Sequence, residues 1–295
     1  MKPTVSSRIM QGVLKAIVLL IAAICVLPFL MVLGSSLNEE NDIVRNGYTL
    51  WPRVFDLTAY RVLIADGSRI GNAYRITITV TLIGTAASLL ICAFAAYPLS
   101  QKRVKYRKAM NLFVLVTMLF SGGMVPWFIV CRNMLQLKDS ILALILPYLA
   151  NAWYIFLLRN YFGSIPEELS EAAMIDGASE LHTFFSVILP TSTPILASVA
   201  LFISLGYWND WWLGLMLVDK TALQPLQLLL RTITSNIQFF SSSNNASAIA
   251  SIVNVIPAES IKMSTCIVTI GPILLVYPFV QRYFVRGIMV GAVKG

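Results

Sequence analysis

Apolar residues run along this chain in six long blocks, near positions 14–34, 76–98, 110–130, 141–158, 193–217 and 261–281. A helix needs roughly 20 such residues to cross a hydrocarbon layer about 30 Å thick, and each block is close to that length. The fourth, "ILALILPYLANAWYIFLL", is interrupted by Pro147 and Asn151. Bundled helices tolerate both where neighbours satisfy the freed backbone groups. The pattern predicts an all-α membrane protein of six transmembrane helices forming one domain over 1–295.

Composition agrees with the pattern. Of 295 residues, 57% are hydrophobic and only 12% charged, and the mean hydropathy is +0.75. A soluble domain of this length is far more polar. The first block follows Lys2, Arg8 and Lys15 and precedes "GSS", as a secretory signal would. Its apolar core of about 20 residues exceeds the 7 to 15 of such signals, so it reads as an uncleaved anchor.

Charge adds orientation. The formal net charge is +8, but the basic residues do not gather on one exposed face, which argues against nucleic acid as a partner. Their densest cluster, "QKRVKYRKA" at 101–109, contains no acid and lies between the second and third blocks. The positive-inside rule places that loop in the cytoplasm. With an even number of spans, both termini, the 159–192 loop and the 283–295 tail share that side, while 35–75 and 218–260 face outside. The first outer loop also holds Arg45, Arg53, Arg61, Arg69 and Arg75 against Glu39, Glu40, Asp42, Asp56 and Asp66, which narrows the charge asymmetry.

Several chemistries lack their residues. The sole histidine, His182, cannot build a histidine metal cluster, and no G-x-x-x-x-G-K-[ST] phosphate loop occurs. Intramembrane charges mark ion relays, yet Asp210 in "GYWNDWW" is the main candidate. Cys25, Cys92, Cys131 and Cys266 are widely spaced in or beside the blocks and read as small packing residues. The "SGG" at 121–123 reads as a site of close helix packing.

One stretch breaks the apolar pattern with chemistry of its own, "EELSEAAMIDGAS" at 167–179. Ser164 and Glu167 form an S-x-x-E capping box, and Pro166 suits a first helical turn. Glu167 and Glu168 meet the positive end of the helix dipole, and Gly177 suits a left-handed stop. Leu169, Ala172, Ala173 and Asp176 share one face, which two alanines keep flat. A second helix starts after Ser179, with Glu180 in its first turn, and runs to "VILP", where Pro190 ends it.

Glu171-Ala172-Ala173, three residues, Gly177, nine residues, then Val187-Ile188-Leu189-Pro190 resembles the EAA loop of ABC importer permeases, with Val187 in place of the usual isoleucine. "FSGGMVPWFIV" (120–130), "LPTSTPILA" (189–197), "YWNDWW" (207–212) and the tail "QRYFVRGIMVGAVKG" (281–295) are similar to the carbohydrate-uptake branch, the maltose-type and oligosaccharide-type permeases. The resemblance covers most of the chain from about position 75 onward.

The resemblance implies a type I importer permease fold in the cytoplasmic (inner) membrane of a prokaryote, with no enzyme activity and no cofactor in this chain. It implies a second permease subunit, paralogous or identical, a dimer of ABC ATPases that uses ATP and Mg, and an extracytoplasmic sugar-binding protein contacting the 218–260 loop. Glu171, Ala172, Ala173, Asp176, Gly177, Leu189 and Pro190 would then couple to the ATPase, and the tail residues Gly291, Lys294 and Gly295 would reach between its subunits. Sugars present hydroxyl edges and apolar faces, which makes Tyr148, Asn151, Trp153, Tyr207, Trp208, Asn209, Asp210 and Trp211 the substrate-path candidates. Trp and Tyr also form interfacial belts in any membrane protein. A self-contained secondary carrier, an ABC permease for a non-sugar solute, an intramembrane enzyme and a membrane scaffold are the competing readings.

Overall fold

The computed structural model describes residues 5–65, 67–242 and 257–272. The helices are α1 (Val5–Ser36), α2 (Glu40–Asn46), α3 (Thr58–Ala65), α4 (Gly67–Ser100), α5 (Arg107–Leu119), α6 (Met124–Ile129), α7 (Ala152–Phe162), α8 (Glu167–Ile175), α9 (Glu180–Thr183), α10 (Leu189–Thr191), α11 (Thr193–Trp208), α12 (Trp212–Leu217) and α13 (Leu226–Ser242). Residues 258–272 are also helical. Among the described residues the only extended pairing is an isolated bridge between Asn38 and Phe55.

Two helices, α1 and α4, are by themselves long and apolar enough to cross a membrane. Three helix pairs, each bent at a short break, are long and apolar enough together to make further crossings. The expected continuous span at 110–130 is α5 followed by Met124–Met134 at 107°. Its break is the "SGG" segment, where Gly123 has φ +85 and Ser121 Oγ accepts the Gly123 N–H at 3.2 Å. A side chain at Gly122 or Gly123 would touch nothing within 4 Å, so these glycines break a helix and do not pack against one. The 141–158 span is tight three-residue-per-turn helix over Ile141–Tyr148, then α7, with a 50° bend. Asn151 caps α7, its side-chain oxygen accepting the Trp153 N–H at 2.9 Å. The 193–217 span is α11 and α12, interrupted at 209–211. Of the expected span 261–281, positions 273–281 fall outside the described residues.

The described chain forms two compact units, one from residues 5–70 and 230–272 and the other from residues 71–229. In the first, the buried Asn38 holds a polar turn together. Its Oδ1 accepts N–H groups from Arg53 (3.1 Å) and Val54 (3.0 Å), and its Nδ2 donates to Asp42 Oδ2 (2.7 Å). The Glu40 carboxylate accepts the N–H groups of Glu259 and Ser260, both at 2.9 Å, at the start of the 258–272 helix. Ala59, Leu63 and Ile261 form a small apolar core beside these contacts.

The second unit packs around α4. Gly84, Ser88, Cys92 and Ala96 recur every fourth residue and are all buried, a stripe of small side chains that lets other helices come close. Val199, Ile203 and Tyr207 of α11 and Ile155, Leu158 and Phe162 of α7 complete that core. At Gly84 the approach is so tight that an added Cβ would lie 2.7 Å from the Tyr207 ring. Cys92 and Cys131 are buried packing residues, whereas Cys25 and Cys266 are exposed, and none of the four is bridged.

Candidate functional site

Segment 159–192 folds as two short helices joined at a glycine. Gly177 adopts φ +82, a conformation glycine reaches without a Cβ clash, and its N–H donates to Met174 O at 3.0 Å. Ser179 caps the second helix, its hydroxyl accepting the His182 N–H at 3.3 Å. The expected capping box is absent, because Ser164 Oγ donates back to Tyr161 O at 2.7 Å near the end of α7 and Pro166 occupies the cap of α8. Nor does Pro190 end the second helix where expected. A wide five-residue turn at Phe184–Ile188 precedes it, Pro190 sits in the first turn of α10, and an 83° bend follows α10.

α8 has two unlike sides. Ser170 is buried, Ala173 and Met174 are half-buried, and Leu169, Glu171, Ala172, Ile175 and Asp176 are exposed, Ile175 by 86%. Ala173 therefore turns partly inward and departs from the flat outer face expected of the alanine pair. Among the described residues, the carboxylates of Glu168, Glu171 and Asp176 make no hydrogen bond or ion pair. Leu189 is half-buried and Pro190 exposed.

Two acids of the same segment are engaged by the basic loop after α4. Lys102 Nζ lies 2.8 Å from Glu167 Oε1, and Arg103 Nη2 lies 2.7 Å from Glu180 Oε2. Tyr97 donates its hydroxyl to that same Glu180 oxygen at 3.1 Å, and Arg103 Nη1 reaches the Met174 sulfur at 2.7 Å. Sequence reasoning used this loop only as an orientation signal. The usable clue was a loop with no acid facing a segment whose two helices both open on glutamate.

The substrate-path candidates divide. Tyr148, Asn151, Tyr207, Asn209, Asp210 and Trp211 line one cavity of about 320 Å³, together with Tyr154, Ile203 and Gly206, which sequence reasoning missed. Trp153 packs edge-on against Tyr154 and Phe202, and Trp208 is buried beside Tyr74, so neither lines it. Asp210 is held by the chain's own groups, since Oδ1 accepts the Tyr148 hydroxyl at 3.1 Å and Oδ2 accepts the Leu213 N–H at 3.1 Å. The second bond caps the start of α12 across the 209–211 break. Tyr207 donates to Ile145 O at 2.9 Å and also lines the cavity. Among the described residues no cluster of His, Cys, Asp or Glu could hold a metal ion. The tail candidates Gly291, Lys294 and Gly295 lie outside the described residues.

Residues 4–290 match the family described as the binding-protein-dependent transport system inner membrane component. The chain belongs to that family. The permease is 37% identical over 292 residues to the polygalacturonan/rhamnogalacturonan transport system permease protein YtcP of Bacillus subtilis, covering 98% of this chain and 99% of the relative. It is 36% identical over 277 residues to protein LplC of the same organism, covering 93% and 91%. A chain from the crystal structure of a bacterial ABC transporter that imports the acidic polysaccharide alginate superposes with a TM-score of 0.80 at 30% identity, over 95% of this chain and 98% of that one. This permease is therefore a multi-pass membrane transport component and not itself an enzyme, with the ABC permease fold that its bent helix pairs build.

Proposed function

We propose that this permease is one transmembrane half of an ATP-driven importer for a sugar or oligosaccharide. A separate ABC ATPase dimer supplies the energy with ATP and Mg, a second permease subunit completes the path, and an extracytoplasmic binding protein delivers the solute. Both termini and the 159–192 segment face the cytoplasm of a prokaryotic cell, the side on which ATP is available. The substrate class rests on the relatives, whose names refer to polygalacturonan, rhamnogalacturonan and alginate.

The observation that carries the coupling role is the outer face of α8. Leu169, Ala172 and Ile175 are exposed beside three carboxylates that have no partner among the described residues. An apolar patch ringed by like charge suits a partner with an apolar cleft edged by basic residues. Closure of the ATPase dimer on ATP moves that cleft, and the docked helix carries the motion into the bundle. Inward- and outward-facing states are then two packings of one bundle, biased by nucleotide. At the cavity, Tyr148, Tyr154 and Trp211 supply aromatic surface for a sugar, and Asn151 and Asn209 supply amide groups for its hydroxyls.

Glu171→Lys places a cation where a basic cleft would meet it. ATPase subunits should co-purify with the wild-type permease and be lost with the variant. Retained co-purification together with unchanged uptake defeats the coupling assignment. The substrate class is checked by identifying the ligand carried by the co-purifying binding protein, and a non-carbohydrate ligand would overturn it.

A further inference from the structure

The coupling segment is covalently joined to α7 and α11, the helices either side of it, yet its most specific side-chain contacts are to α4. Phe184, 1% exposed, stacks at 4.8 Å from Phe94 and 5.2 Å from Tyr97, and Phe185 meets Phe94 edge-on at 5.5 Å. Where this aromatic cluster ends, a polar node begins. Glu180 Oε2 receives both the Arg103 guanidinium at 2.7 Å and the Tyr97 hydroxyl at 3.1 Å. Tyr97 thus belongs to both layers, ring in the cluster and hydroxyl in the node. Arg103 also touches Met174 of α8, so one guanidinium spans the two short helices on either side of Gly177.

We infer that the loop 101–103 is a second input linkage, and that Arg103 is a positioning residue which makes α8 and α9 move as one body with the end of α4. The inference rests on the reading that 159–192 docks the ATPase. Without the node, a push on α8 could be absorbed at Gly177, the one left-handed residue between the two helices. With it, displacement passes through Glu180 and the Phe184 stack into α4, whose Gly84 lies against Tyr207 of the cavity-lining helix α11. Lys102–Glu167 adds a further contact at the start of α8, but with side chains 76% and 58% exposed it is held loosely.

The test uses the complete transporter reconstituted in vesicles, with ATP hydrolysis and solute uptake measured on the same preparation. Arg103→Glu should leave ATPase co-purification unchanged and lower the solute carried per ATP hydrolysed by about threefold to tenfold, the range expected when a charged hydrogen-bond network is broken. The exchange Arg103→Glu with Glu180→Arg should restore the ratio, which a merely misfolded loop would not do. A single variant with an unchanged ratio, or an exchange that recovers nothing, overturns the linkage. If instead Glu171→Lys keeps its ATPase while Arg103→Glu still lowers the ratio, the docking face is wrong and the linkage stands.

Discussion

Replacing Gly84 by alanine tests the packing that links α4 to the cavity. The added Cβ would sit 2.7 to 2.9 Å from three atoms of the Tyr207 ring. Carbon atoms rest at about 3.5 Å or more, so the ring must retreat by roughly 0.7 Å. Tyr207 is 4% exposed and its hydroxyl is tethered to Ile145 O at 2.9 Å, so the ring cannot swing clear without straining that bond. Overpacking of this kind costs about 1–3 kcal/mol, and a lost hydrogen bond about 1 kcal/mol, giving a penalty of about 2–4 kcal/mol. Thermal unfolding in detergent should show the drop, and the KM for uptake should rise because Tyr207 lines the cavity. The decisive comparison is the double variant Gly84→Ala with Tyr207→Ala. Removing the ring removes the clash, so Gly84→Ala should cost almost nothing in that background, a strongly non-additive result. Equal penalties in both backgrounds, or a single variant within about 0.5 kcal/mol of the parent, would refute the packing argument.

Two further perturbations bear on local conformation and charge. Gly177→Ala forces a Cβ into a left-handed position at φ +82, where open space leaves only the backbone cost of about 1–2 kcal/mol; an unshifted unfolding midpoint would contradict it. Asp42 has its carboxyl held below the usual carboxylate range, first by the Asn38 amide, then by Asn46, with Arg53 adding to this. A depressed folded-state value means this carboxylate contributes stability above about pH 4, lost as pH falls through the lower folded value. Asp42→Asn should therefore flatten the acid limb of the stability profile, and an identical acid limb in parent and variant would exclude the contribution.

What sequence reasoning read well was local. The Gly177 turn and the Ser179 cap each depend on a few neighbouring residues, and the apolar blocks depend only on lipid requiring apolar surface. What it missed was direction and distance. A hydropathy window runs straight through Phe120–Gly123 and Asn209–Trp211, because a bent crossing is as apolar as a straight one, yet the chain turns by 107° at the first of these. Ser164 shows two helix ends competing for one hydroxyl, since the last carbonyls of α7 lack donors just as the first N–H groups of α8 lack acceptors. Trp153 and Trp208 carry the same chemistry as Trp211, and only packing separates the ring that lines the cavity from the buried Trp208 and the outward Trp153. The pairs Lys102–Glu167 and Arg103–Glu180 join residues more than sixty positions apart and have no periodicity to reveal them.

These pairs bear on what the acids of the proposed coupling segment do. Composition alone gives no sign that any of them pairs within the chain. The structure divides them by neighbour, with Glu167 and Glu180 turned to the chain's own basic loop and Glu168, Glu171 and Asp176 turned away from it. The division has a physical logic. A short helix pair hinged at a glycine is marginal by itself, because isolated helices of this length do not persist in water. Fixing it needs contacts to the bundle, and contacts that also bind a mobile partner would be disrupted whenever that partner shifts. Under the proposed coupling role, separate carboxylates for the two tasks would allow the outer face to change partners or positions while the inner face stays in register with α4. An element serving both ends through the same residues would release its hold on the bundle at the moment it had to transmit force.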